Sequence, residues 1–223
     1  MLSQKVAKSY GITIIPGLEI TRDANNIGHL NALFTTDNNL VYDPDPYQSV
    51  LNAKAQGALV QHNHPGWRRT TLAYSEWQAK VYGEGLIDGV EVVNGEEIYP
   101  GIVDRCVENN LYITANTDIH ASTASEYNTY GHDRPMTLIF AKDQSLEAVR
   151  EALEARRTLA FAHNKLAEGA DVLKAQAGRR HGQRAVGQAL RAALGLPELL
   201  RIGEYLREHR PVQLQHRIHN GLH

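Results

Sequence analysis

A single cysteine, Cys106, stands in 223 residues. It excludes an internal disulfide and any zinc site built on thiolates. On a predicted helix it reads as a buried, inert thiol. No run of about 18 apolar residues occurs, so no transmembrane helix is expected. The segment Met1–Lys8 is too polar for a signal peptide, and the compartment stays open. No Ser-His-Asp set stands in order, no Gly-rich phosphate loop is present and no internal repeat is evident. A hydrophobic share of 42% with a mean hydropathy of −0.40 fits a soluble globular chain.

Histidine is plentiful, with 11 residues, and charge is unevenly spread. From Val172 onward, nine basic residues face three acidic ones, whereas the rest of the chain carries 14 basic and 22 acidic residues. After Lys165 the only aromatic residue is Tyr205, and after Asp171 there is no aspartate. Two segments are therefore expected, 1–164 and a basic helical tail over 165–223. Gln183–Leu194 and Pro197–His209 have helical spacing. Charge runs of this kind usually face solvent, and no nucleic-acid partner is expected. His216, His219 and His223 are spaced too loosely to argue for a metal.

The elements alternate. Residues 2–9 read as helix with Val6 as the anchor, and Ile12, Ile14 and Ile15 as a short strand stopped by Pro16-Gly17. Strands follow at His29–Phe34, Ala58–Gln61, Asp88–Val93, Leu111–Asn116, Met136–Phe140 and Thr158–Phe161. Helices are predicted over Tyr47–Gln56, Thr71–Tyr82, Pro100–Asn109 and from Ser145 to about Arg156, where Ser145 is the N-cap. Strand and helix alternating through short links mean parallel βαβ units, and this count suits most of a barrel.

Ligand-type side chains recur at strand ends. Asp118 and His120 close the strand that starts at Leu111, and in an extended chain residues two apart point the same way. A hard carboxylate oxygen beside an imidazole suits Zn²⁺, Mn²⁺ or Fe²⁺. Glu19 follows the first strand, and His62 and His64 close the third. His64 precedes Pro65 and is expected to be extended. His29 opens its strand, so it joins the others only if that strand runs antiparallel to the one before it. Several imidazoles with two carboxylates imply more than one ion, and paired ions clamp both oxygens of a phosphoryl displacement. Arg134 is placed to hold a phosphoryl oxygen through a forked contact.

At these residues the chain resembles the PHP (polymerase and histidinol phosphatase) phosphoesterase superfamily. The matching pieces are Pro16-Gly17-Leu18-Glu19, Gly28-His29-Leu30-Asn31, Asn63-His64-Pro65-Gly66-Trp67 and Thr117-Asp118-Ile119-His120. Within it the chain looks most like the Sb-PDE family phosphodiesterases, through Glu19-Ile20-Thr21-Arg22, the stretch Gly89–Gly95 and the stretch Met136–Lys142. The resemblance covers roughly residues 5–163. It implies a distorted (β/α)7 barrel, a cluster of up to three divalent ions and hydrolysis of a small-molecule phosphate ester. Carried over by motif, Glu19, His29, His64, Asp118 and His120 are the implied metal ligands. The family's opening His-x-His strand and Ser-Asp-Gly turn are not found before Glu19. The expectation is a barrel lacking its first strands, with impaired activity, followed by an α-helical C-terminal tail. Two alternatives stand beside it: a metal-dependent amidohydrolase using His62 and His64, and a non-catalytic remnant of the same fold.

Overall fold

Glycine and proline begin the first strand instead of stopping it. The computed structural model describes residues 2–22, 27–127, 134–162 and 165–167. In it β1 covers Gly17–Arg22, and Ile12–Ile15 lead into it without strand pairing. The Phe34 N–H donates to the Pro16 carbonyl at 2.6 Å, and Gly17 pairs with Leu33 so closely that a Cβ would lie 2.5 Å from the Ala32 oxygen. Pro16-Gly17 is thus where a neighbouring backbone arrives. Glu19 consequently lies inside the strand.

The other strands are β2 (Gly28–Leu33), β3 (Leu59–His62), β4 (Gly89–Asn94), β5 (Glu97–Ile98), β6 (Tyr112–Asn116), β7 (Met136–Ile139), β8 (Thr158–Ala162) and β9 (Lys165–Ala167). The helices are α1 (Leu2–Ser9), α2 (Pro46–Ala55), α3 (Glu76–Gly83), α4 (Pro100–Glu108), α5 (Thr123–Tyr127) and α6 (Leu146–Glu154). Caps set the helix starts. Asp45 accepts from the Tyr47 N–H ahead of Pro46, and Ser145 accepts from the Ala148 N–H. Ser75 and Gln78 form a reciprocal capping box, so α3 begins later than the predicted Thr71. In α1, Val6 is exposed and Ala7 is the buried residue, so the expected anchor is corrected by one position.

The expectation of uniformly parallel βαβ units is also corrected. β1 and β2 pair antiparallel, as do β2 and β3; β3 with β4 and β4 with β6 are parallel; β4 and β5 form a hairpin. A second sheet, β7-β8-β9, is antiparallel throughout. The sheets meet at β6 through side chains. Thr158 Oγ1 accepts from the Ile113 N–H at 3.3 Å, and Thr137 Oγ1 bonds both the N–H and the carbonyl of Ala115 at 3.0 Å. The result is a mixed α/β fold whose strands, among the described residues, do not close into a ring. The expected boundary at residue 164 falls between β8 and β9, while the predicted tail helices lie outside the described residues.

The first sheet has two unlike faces. Ile20, Leu30, Val90 and Ile113 lie on the side covered by α2, α3 and α4, in a core with Val50, Val81 and Ile102. Each large side chain removed from water here contributes about 1.5–3 kcal/mol. The other face is apolar at one end, where Leu33, Leu59 and Tyr112 pack with Ile139 and Leu153. At its other end that face is polar. Gly89 pairs with Tyr112, and a Cβ on Gly89 would lie 2.1 Å from the ring. Gly89→Ala is therefore expected to destabilise the fold by about 1–3 kcal/mol, read as a lower midpoint in urea unfolding. Tyr112→Leu in the same chain should recover part of that loss, because the clash lies with the ring.

Candidate active site

Directly paired residues share a face of a sheet. Glu19 pairs with Asn31 and Asn31 with Gln61, while Thr21 pairs with His29. Glu19, His29, Asn31 and Gln61 therefore stand together on the polar end of the inner face. His62 pairs with Leu30, which pairs with Ile20, so His62 stands on the opposite, helix-covered face. It is 1% exposed, its Nδ1 lies 2.9 Å from the Tyr82 hydroxyl, and burial lowers its pKa to about 3. His62 and His64 thus do not act as a pair pointing at one centre.

β2 runs against β1, as His29 requires to reach the other candidates. Its Nδ1 lies 3.0 Å from Glu19 Oε1 and 3.1 Å from His64 Nε2. Thr21 Oγ1 donates to the same Glu19 oxygen at 2.6 Å. The His29 and His64 rings meet edge to face at 4.7 Å, and the Trp67 ring lies 5.4 and 5.3 Å from them. Burial alone would raise the Glu19 carboxyl. Hydrogen bonds from His29 and Thr21, with the charges of His29 and His64, hold it below its usual value instead. Burial and the neighbouring His29 lower His64, and Asp118 and Glu19 oppose this without reversing it.

Backbone geometry corrects two expectations. His64 is not extended: its φ is +27°, and the Trp67 N–H closes a turn onto its carbonyl at 2.9 Å. Asp118 has a φ of +49°, because β6 ends at Asn116 and the chain has left the extended region by that point. The rule that residues two apart point alike consequently does not carry Asp118 and His120 together. Asp118 is exposed, yet close enough to act on His64 and on Glu91. His120 is exposed on the same loop and makes no hydrogen bond or ion pair with the other candidates among the described residues. Arg134 is half-buried, two residues before β7.

The donor set suits a divalent cation. His29 Nδ1 carries at most one proton, and it faces both a carboxylate oxygen and an imidazole nitrogen. Lone pairs outnumber protons there. Donors held 2.0–2.2 Å from a tetrahedral ion stand about 3.3 Å apart, close to the separations seen. Asn31 Oδ1 and Gln61 Oε1, in the same row as Glu19, are buried without a hydrogen-bond partner. Among the described residues, however, no group of three or more His, Cys, Asp or Glu side chains closes round one point.

Glu91 was not among the sequence candidates. It sits on β4, is 2% exposed and accepts from the His64 backbone N–H at 2.6 Å, Asn116 Nδ2 at 2.8 Å and Asn94 Nδ2 at 3.0 Å. Burial pushes its carboxyl up to about 7 against these bonds. The available signal was a lone acid among valines in a predicted strand.

Among solved structures the chain is similar to the crystal structure of a two-domain protein from Bacteroides vulgatus ATCC 8482 that contains a predicted PHP-like metal-dependent phosphoesterase. Identity is 37% and the TM-score 0.72, over 78% of this chain and 51% of that one. The chain thus spans about half of that protein's length. No family model matches, and no curated protein does.

The placement of His62 has a testable consequence. Tyr82→Phe leaves the buried His62 Nδ1 without its partner, at a cost of about 1–3 kcal/mol in urea unfolding. Mn²⁺ uptake, followed by titration calorimetry, should stay at the wild-type level.

Proposed function

We propose that this chain is a PHP-type, metal-dependent phosphoester hydrolase of the phosphodiesterase kind found in the Sb-PDE family. One observation carries the reading: at one end of a sheet His29 Nδ1 lies within hydrogen-bond distance of both Glu19 and His64, all three being residues of the matching motifs. The 37% identity to a chain containing a PHP-like phosphoesterase supports it. Residues 1–164 make up the phosphoesterase-type domain, belonging to a distorted (β/α)7 barrel, β9 adds a strand to its second sheet, and the stretch up to residue 223 is basic in composition.

The proposed ligands are Glu19, His29, His64, Asp118 and His120, for Mn²⁺, Zn²⁺ or Fe²⁺, with up to three ions in a full ligand set. A divalent ion bound there polarises a phosphoryl oxygen and makes water a nucleophile near neutral pH. The chain's own part is positional and electrostatic. Glu19, ionised at neutral pH, supplies negative charge. His29 and His64 supply nitrogen lone pairs from a partly dehydrated position. Arg134 provides a guanidinium fork for a phosphoryl oxygen. Trp67, 36% exposed beside both imidazoles, offers a flat surface to the ester group.

The amidohydrolase reading is weaker, because its paired histidines stand apart: His62 is turned into the helix-covered core. Metal analysis, followed by a bis(4-nitrophenyl) phosphate assay with added Mn²⁺, tests the proposal. Slow diester cleavage that stops with a chelator is expected, with turnover at background in Glu19→Gln and in Asp118→Ala. Cleavage of an amide substrate and none of the diester would favour the second reading. Cleavage that survives both substitutions would refute this ligand set.

A further inference from the structure

The three contacts of Glu91 come from three separate strand ends. Oε2 takes the His64 backbone N–H, just past β3, and Asn94 Nδ2, at the end of β4. Oε1 takes Asn116 Nδ2, at the end of β6 and two residues before Asp118. In a regular strand Glu91 and Asn94 would point to opposite faces, since three steps change the side. The register of β4 against β6 shifts between Glu91 and Val93. That bulge moves the pleat by one residue and turns Asn94 towards Glu91. Asn116 also lies against the Thr137 hydroxyl, whose one proton is shared between the Ala115 carbonyl at 3.0 Å and Asn116 Oδ1 at 3.3 Å.

His64 is the residue that requires such a fixture. Its backbone has a positive φ, which a side chain bearing a Cβ rarely adopts without a local reason. Both its carbonyl and its N–H are held, by the Trp67 N–H and by Glu91 respectively. The second of these ties the loop to the middle of the sheet.

We infer that Glu91 is a positioning residue. It locks the His64 turn, and thereby aims the His64 imidazole at Glu19 and His29, while joining that turn to the strand leading to Asp118. This rests on the proposed ligand role of His64. Glu91 touches no candidate reacting atom, and three of its four acceptor positions are taken by the His64 N–H, Asn94 Nδ2 and Asn116 Nδ2.

Glu91→Gln keeps the shape but turns an N–H₂ group towards at least one of the donors. The test uses the full 223-residue chain. In amide-proton NMR without metal, the His64 backbone N–H should lose the downfield shift that a short bond to a carboxylate gives. Mn²⁺ affinity, by titration calorimetry, should fall about 10- to 100-fold. In a His64→Ala background the same substitution should add nothing further, since it acts through His64. An unmoved His64 amide, or losses that add in the double variant, would overturn the inference. Wild-type chain that takes up no Mn²⁺ would sink the metal reading, and the amide shift would then decide the Glu91 lock alone. If Glu91→Gln does not fold, Asn94→Ala removes one donor from the same oxygen and leaves the carboxylate in place. A changed His64 amide shift with weaker Mn²⁺ binding is then expected, and neither changing would count against the lock.

Discussion

β2 runs against both of its neighbours, and the candidate site depends on that reversal. The start of β2 lies beside the ends of β1 and β3. His29, near the start of its strand, therefore lies beside the second half of β1, within reach of Glu19, and beside the chain that leaves β3 for His64. A parallel β2 would move His29 from the second to the fifth position of a six-residue strand, about 10 Å away. Nothing in the chemistry of the three side chains compensates for such a distance. Strand direction thus decides whether three polar residues form a cluster or remain three surface groups.

The same sheet solves two burial problems at once. Among the described residues its helix-covered face is apolar apart from His62, which is neutral and bonded to Tyr82. Its inner face changes from apolar to polar along the strands. Buried polar groups there are costly unless bonded, and Glu91, Asn94, Asn116 and Thr137 bond one another and the backbone of β6. Partners of this kind restrict each other's rotamers. The strand ends are consequently joined across the sheet before any ligand is considered, which favours a site with fixed geometry.

Much of the local structure was legible in the sequence, because the relevant forces are local. Asp45 before Pro46 and Ser145 before Leu146 are side-chain caps, and each begins its helix where expected. The positions of β2, β3, β4, β6, β7 and β8 follow from apolar runs between turn residues. Direction was not legible, since alternation is the same read up or down a strand. The expectation of parallel units therefore misses the antiparallel pairing of β2 with β3 and of β7 with β8, and β9 is not foreseen at all. Of the candidate residues, Glu19 and His64 each lie beside His29, whereas His62, the histidine of the amidohydrolase alternative, lies on the other face. The face of His62 follows from its register with Leu30, a long-range fact. Glu91 escaped notice for a related reason: a carboxylate in an alternating strand looks solvated until the strands on both sides and the bulge beside it are known.

The positive-φ residues sort the loops by purpose. Asn110 and Arg156 occupy turns just beyond α4 and α6, where a left-handed residue commonly ends a helix. His64 and Asp118 have no helix to end. Each follows a strand of the parallel set β3-β4-β6, and each is a candidate ligand. Strain of this kind costs on the order of 1–3 kcal/mol per residue. A hydrogen bond contributes about 0.5–1.5 kcal/mol to a neutral acceptor and about 1.5–3 kcal/mol to a charged one, so the bond from the His64 N–H to Glu91 is of the size needed to hold that turn, most fully when the carboxyl is ionised. An extended His64 would carry the imidazole onward along β3, past the edge of the sheet. The turn instead brings it back over His29, so the strained backbone and the buried carboxylate are two parts of one arrangement.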